Sequence, residues 1–149
     1  MVGGIKMSAI KVIFWSGTGN TEAMADAVVS GIEATGGEAN KVEVSTITAD
    51  EVAADTVFAM GCPSMGDEVL EESDFEPFME ALDDKLAGKK VALFGSYGWG
   101  DGEWMRNWEA RVTRNDAVLV AGGLIANDAP DEDAIAACKT LGEALVKAV

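Results

Sequence analysis

An open parallel β-sheet with helices on both faces is the fold class this sequence predicts. Two observations carry it. Strand-like and helix-like segments alternate about five times along 149 residues, and most strand segments are short continuous apolar runs. A third observation points to function: glycine, serine and asparagine gather just after several of those runs. In such sheets right-handed crossovers leave few topologies, and ligands bind beyond the C-terminal ends of the strands.

Taken in order, AIKVIFW (9–15) reads as a strand buried on both faces. From Thr21 to Thr35, Ala23, Met24, Ala27, Val28, Gly31 and Ile32 recur at helical spacing, and Gly36-Gly37 ends the helix. ANKVEV (39–44) is a second strand with weak alternation. Thr48 and Glu51 form a capping box for a short helix. TVFAMG (56–61) is the third strand, DFEPFMEALDDKL (74–86) a helix and VALFGS (91–96) the fourth strand. Residues 103–114 make a helix presenting Trp104, Trp108 and Val112. A fifth strand is expected at 117–126, containing Gly122-Gly123, and an amphipathic helix at 131–148. Residues 1–8 read as a dispensable N-terminal extension, with Met7 a second possible start, and 9–149 as a single domain.

Composition excludes several chemistries. Eleven basic residues stand against 26 acidic ones, a net charge of −15, and clustered cations for a nucleic-acid backbone are missing. The chain has no histidine, which disfavours Ser-His hydrolysis and zinc sites. Its two cysteines, Cys62 and Cys138, lack metal-ligand spacing and suit inert thiols in a reducing cytoplasm. No apolar stretch is long enough to span a bilayer, and the N-terminus lacks the pattern of a secretory signal. Between Lys41 and Lys85 lie 13 carboxylates and no basic side chain. That stretch is either a solvated acidic face or a surface that steers a basic partner.

Three loops at the C-terminal ends of the strands hold the chemistry. In SGTGNT (16–21) the glycines let backbone N–H groups approach a ligand, while Ser16, Thr18, Asn20 and Thr21 add polar side chains. The helix that follows directs its positive end to the same point. The segment lacks a P-loop lysine, and Glu22 stands where a dinucleotide fingerprint has its third glycine. GCPSMGDEVLEES (61–73) has Met65-Gly66 at its apex, and SYGWGDGEW (96–104) surrounds Trp99 with glycines. Alone, Met65 reads as a core anchor and Trp99 as a packed indole. Converging at one sheet edge, the loops supply hydroxyls for a phosphate and two flat or soft groups for a planar ring.

These three segments resemble short-chain flavodoxins of clostridial type, in order and spacing, over essentially the whole chain after residue 8. The resemblance implies a flavodoxin-like three-layer sandwich: a five-stranded parallel sheet in the order 2-1-3-4-5 with helices on both faces. It also implies tightly but noncovalently bound FMN. The long-chain class carries an insertion in the fifth strand for which 117–126 has no room.

By that resemblance Ser16, Gly17, Thr18, Gly19, Asn20 and Thr21 hold the FMN phosphate. Met65 meets the inner flavin face and Trp99 covers the outer one, with Pro63 and Ser64 also among the cofactor-binding residues. Gly66 is the peptide that reorients on the first electron, glycine tolerating positive φ. Asp67 and Glu68 approach the pyrimidine edge, Glu68 as acceptor for N3–H. Ser96, Tyr97, Gly98, Gly100 and Asp101 complete the pocket. The implied function is low-potential one-electron transfer, cycling mainly between semiquinone and hydroquinone, by an electron carrier rather than an enzyme. Two like charges about 10 Å apart at an effective dielectric near 20 repel by roughly 1.5 kcal/mol, so acidic surroundings oppose an anionic reduced flavin. Partners are expected to be basic-surfaced redox proteins, met by a monomer. The alternative is an FMN-dependent quinone or NAD(P)H oxidoreductase on the same fold; no basic cluster for a second dinucleotide supports it.

Overall fold

The computed structural model describes residues 9–149, so the expectation for residues 1–8 lies outside it. The first apolar run forms β1 (Ile10–Phe14), in which only Lys11 is not buried. It leads into α1 (Asn20–Ala34), then β2 (Ala39–Glu43) at one edge. A 3-10 turn and the short helix α2 (Ala49–Ala53) follow. Thr48 Oγ1 accepts the Glu51 N–H at 3.2 Å while Glu51 Oε1 accepts the Thr48 N–H at 3.1 Å, the expected capping box. Next come β3 (Val57–Gly61), α3 (Phe75–Leu82), β4 (Lys90–Tyr97) and α4 (Glu103–Arg114). The chain closes with β5 (Val118–Leu119), β6 (Leu124–Asn127) and α5 (Glu132–Ala148).

All named strand pairings are parallel, in the order β2-β1-β3-β4-β5, with β6 pairing β4 beyond β5. The expected order 2-1-3-4-5 is therefore the one observed, with one correction. The fifth strand is two short pieces, not one run over 117–126, and its second piece reaches Asn127. The break falls at Gly122-Gly123, where Glu109 Oε2 accepts the Gly123 N–H at 2.7 Å. A Cβ at Gly123 would stand 2.6 Å from the Met105 side chain, so α4 packs closely against the break. The expected helix over 74–86 likewise stops at Leu82 and tightens into a 3-10 turn over Asp83–Lys85.

Each face of the sheet has its own apolar layer. On one, Ile13, Phe58, Met60 and Leu93 meet Phe75, Met79, Trp104 and Trp108. On the other, Val12, Ala59 and Phe94 meet Met24, Val28 and Leu141. Helices α1 and α5 touch backbone to backbone there: a Cβ on Gly31 would sit 2.0 Å from the Lys139 carbonyl oxygen, and one on Gly142 2.3 Å from that of Val28. This packing sets α1 firmly on the sheet, with its N-terminal end at the β1 exit.

Candidate functional site

Trp15 still donates its N–H to the Gly61 carbonyl at 3.0 Å; beyond it the sequence turns to hydroxyls and glycine, and the strand gives way to a loop. Ser16 Oγ accepts N–H groups from Gly19 (3.1 Å) and Glu22 (3.2 Å), folding the loop back onto its own helix. Gly19, at φ 95°, makes the left-handed entry into α1 without the steric cost of a side chain. Among the described residues, the backbone N–H groups of Ser16, Gly17 and Thr18 find no acceptor in the chain. Three free donors beside a helix N-terminus make an anion cradle. Thr21 and Ser96 are both buried and joined, Oγ1 to Oγ at 3.1 Å, and the Ser96 N–H donates to Thr21 Oγ1 at 3.3 Å. The anion loop is thereby fastened to the end of β4.

The second loop starts from two backbone bonds to β4: Cys62 N–H to the Phe94 carbonyl at 3.1 Å and Ser64 N–H to that of Ser96 at 3.0 Å. Met65 and Val69 then exchange N–H bonds at 2.8 and 2.9 Å, closing a three-residue turn. Gly66 and Glu68 in it take φ of 50° and 57°. Glu68 Oε1 accepts the N–H groups of Gly102 (3.2 Å) and Glu103 (3.0 Å), so this carboxylate caps α4 and ties the second loop to the third. One of its two oxygens is thus already engaged. Gly100 is needed beside it, since a Cβ there would come within 2.5 Å of Glu68 Cδ.

Behind the loops, the Trp104 indole N–H donates to the Cys62 carbonyl at 3.0 Å from a fully buried position. Glu71, 7% exposed, accepts N–H groups of Ser73, Asp74 and Phe75 at 2.8–3.0 Å. Burial alone would raise its pKa, but those three donors outweigh it and hold the carboxyl below its ordinary value. Both cysteines are free and buried. Burial pushes the Cys138 thiol up to about 12 and that of Cys62 higher than usual as well, so both are unreactive thiols at neutral pH.

A cavity of about 200 Å³ opens where the loops meet. Ser16, Gly17, Thr18, Asn20 and Thr21 form one wall, Pro63, Ser64 and Met65 a second, Ser96, Tyr97 and Gly98 a third. Gly19, Gly66, Asp67, Glu68, Trp99, Gly100 and Asp101 stand outside its lining. Trp99 does not pack down: it is 63% exposed, and Met65 is 36% exposed at the mouth. Asp101 is turned to Arg106, 2.9 Å away. The sequence reading omitted two lining residues, Trp15 and Asp128. Trp15 ends the first apolar run in sequence, yet its indole backs Gly17, where a Cβ would lie 3.0 Å from the ring. Asp128 follows β6 in the left-handed region, φ 56°, and its signal was the turn NDAP at the same sheet edge.

The geometry defines a doubly wound α/β protein with an anion loop at the switch point of its sheet, where strand order reverses between β1 and β3. The family profile Flavodoxin matches residues 12–141. A flavodoxin from Clostridium beijerinckii is 51% identical over 123 residues, 83% of this chain and 89% of its own length. One from Megasphaera elsdenii is 48% identical over 139 residues, 93% and 99% of the two chains. The solution structure of two-electron reduced Megasphaera elsdenii flavodoxin superposes with a TM-score of 0.85 at 46% identity, over 93% of this chain and 98% of that one. This chain belongs to the flavodoxin family. It is an FMN-binding, low-potential electron-transfer protein that serves redox partners, not an enzyme, and the oxidoreductase alternative is not favoured. Among the described residues no helix is long and apolar enough to cross a membrane.

Proposed function

We propose that the cavity and its rim hold FMN with the phosphate at 16–21, the sugar-alcohol chain in the cavity and the ring at its mouth. The observation that carries this reading is the set of free N–H groups on Ser16, Gly17 and Thr18, which suit a phosphate, in a cavity with no lysine or arginine in its lining. Bound FMN supplies one-electron redox chemistry; the chain binds it, orients it and sets its electrostatic surroundings. Met65 and Trp99, already exposed at the mouth, flank the ring without having to be released from a core. Gly66 sits at φ 50° with open space on its side-chain position, and glycine moves between positive and negative φ with little steric cost. Glu68 keeps its second oxygen for the ring edge while the first holds α4. Asp67 adds negative charge on the same side.

Partners with basic rims fit the exposed carboxylates of the 42–84 stretch, such as Asp67, Glu72, Asp74 and Glu80, and a monomer leaves them open to a partner. A cytoplasmic location suits two free thiols. The testing experiment titrates apo-protein with FMN, then reduces the complex stepwise with dithionite while recording absorption. One FMN per chain and two separated one-electron stages are expected. A single two-electron stage overturns the mechanism, and no FMN uptake overturns the site.

A further inference from the structure

The third loop ends in the first turn of α4, and that turn is joined to the second loop at two points. From the second loop, Glu68 Oε1 accepts the Gly102 and Glu103 N–H groups. From the helix, the Trp104 indole N–H donates at 3.0 Å to the Cys62 carbonyl, at the root of the second loop. Each partner holds the other's backbone with a side chain. Cys62 is fully buried, and no other donor among the described residues reaches its carbonyl. Trp104 is 1% exposed and stands outside the cavity lining. Its ring lies 5.7 Å from that of Tyr97, a cavity wall, and a Cβ on Gly95 in β4 would come 3.2 Å from it. One buried side chain thus meets both loops and the end of β4.

Met65 on the second loop and Trp99 on the third stand exposed at the cavity mouth. They can grip a planar ring between them only if the two loops keep a constant spacing. An opening of about 1 Å forfeits up to half of a dispersion contact, and a site loosens by that much when the residues behind it lack support. We propose that Trp104 is a positioning residue for the flavin ring: its bond to Cys62, acting with the Glu68 cap, fixes the width of the slot between Met65 and Trp99. Trp108, one turn further along α4, supplies the contrast. It is equally buried and packs edge to face on Phe75 at 5.4 Å, yet its indole N–H has no hydrogen-bond partner among the described residues. Trp108 packs; Trp104 packs and fastens.

This inference rests on the reading of the cavity mouth as the site of the flavin ring. In its test, apo-protein of Trp104→Phe and of Trp108→Phe is titrated with FMN and with riboflavin, and each FMN complex is carried through a redox titration. Trp104→Phe is expected to weaken both flavins by the same factor, about fivefold, the equivalent of one neutral hydrogen bond, because the slot serves the ring they share. Its two one-electron potentials should also draw together, since the second loop then meets the ring less firmly. Trp108→Phe is expected to change either affinity less than about twofold and to leave the separation of the potentials as it was, although it lowers stability in urea.

Equal losses from the two substitutions would reduce Trp104 to packing and overturn the proposal. Unchanged affinities or an unchanged potential separation in Trp104→Phe would overturn it as well. A loss confined to FMN would do the same, by laying the effect on the phosphate loop. Should Trp104→Phe fail to fold, the benzothienyl analogue of tryptophan at position 104 keeps the ring system and lacks the N–H, and the same outcomes are read from it. Failure of the unaltered protein to bind FMN would instead overturn the site reading.

Discussion

At Glu71 a nearly buried carboxylate accepts three consecutive N–H groups at the entrance to α3, which makes it a cap as well as a charge. Hydrogen bonds to a charged acceptor contribute more than neutral ones. Glu71→Gln, which keeps the shape, is expected to lower stability by about 1–2 kcal/mol near neutral pH, measured by urea unfolding. The folded pKa of Glu71 is depressed, so its contribution is complete above the ordinary value of 4.5 and fades as pH falls through the folded value. The gap between Glu71→Gln and the unaltered protein should therefore narrow in acid; a constant gap would refute the role of charge. Thr18, exposed in the anion loop, offers the converse test. Thr18→Lys adds an unpaired cation and is expected to raise the lower of the two potentials in a redox titration, at an unchanged circular dichroism spectrum. Residue types in loop 16–21 were legible because hydroxyls, amide and glycine have few other uses together. Asp128 and Trp15 were not, since each reaches the cavity through the path of the chain in space.

Elements are held in place by a few close approaches of backbone to backbone. Helices α1 and α5 meet through Gly31 and Gly142, neither of which has room for a Cβ. Gly142→Ala is expected to force the helices apart and lower Tm by about 5–10 °C, read by thermal unfolding. A mutant as stable as the parent would show that this contact yields easily. Alternation of apolar runs and helical spacing was enough to place β1, α1, β3 and α4 nearly to their ends, because those segments are buried on the faces their patterns indicate. The fifth strand departs from its sequence pattern for an equally physical reason. AVLVAGGLIA has the composition of one strand, but at its glycine pair the Gly123 N–H donates to the Glu109 carboxylate from α4, where the two short strands part. Helix α3 stops at Leu82 while the acidic and basic residues of 83–85 continue as a tighter turn; Arg111 then holds Asp83 and Glu76 at 2.8–2.9 Å.

Across the whole molecule the net charge of −15 creates a field that attracts cations and repels anions before contact. Association with a basic-rimmed redox partner is expected to slow about tenfold between low and physiological ionic strength, measured by stopped-flow reduction. A rate indifferent to salt would leave the acidic face with solvation alone. The buried Thr21–Ser96 hydroxyl pair joins α1 to β4 within the wall of the site, hydroxyl to hydroxyl. Moved alone to another parallel sheet, the hexapeptide 16–21 would leave one buried hydroxyl orphaned and its loop unanchored. A transplant of this anion site must carry a serine from the neighbouring strand with it, so the smallest portable unit is a loop and a strand end, not a motif.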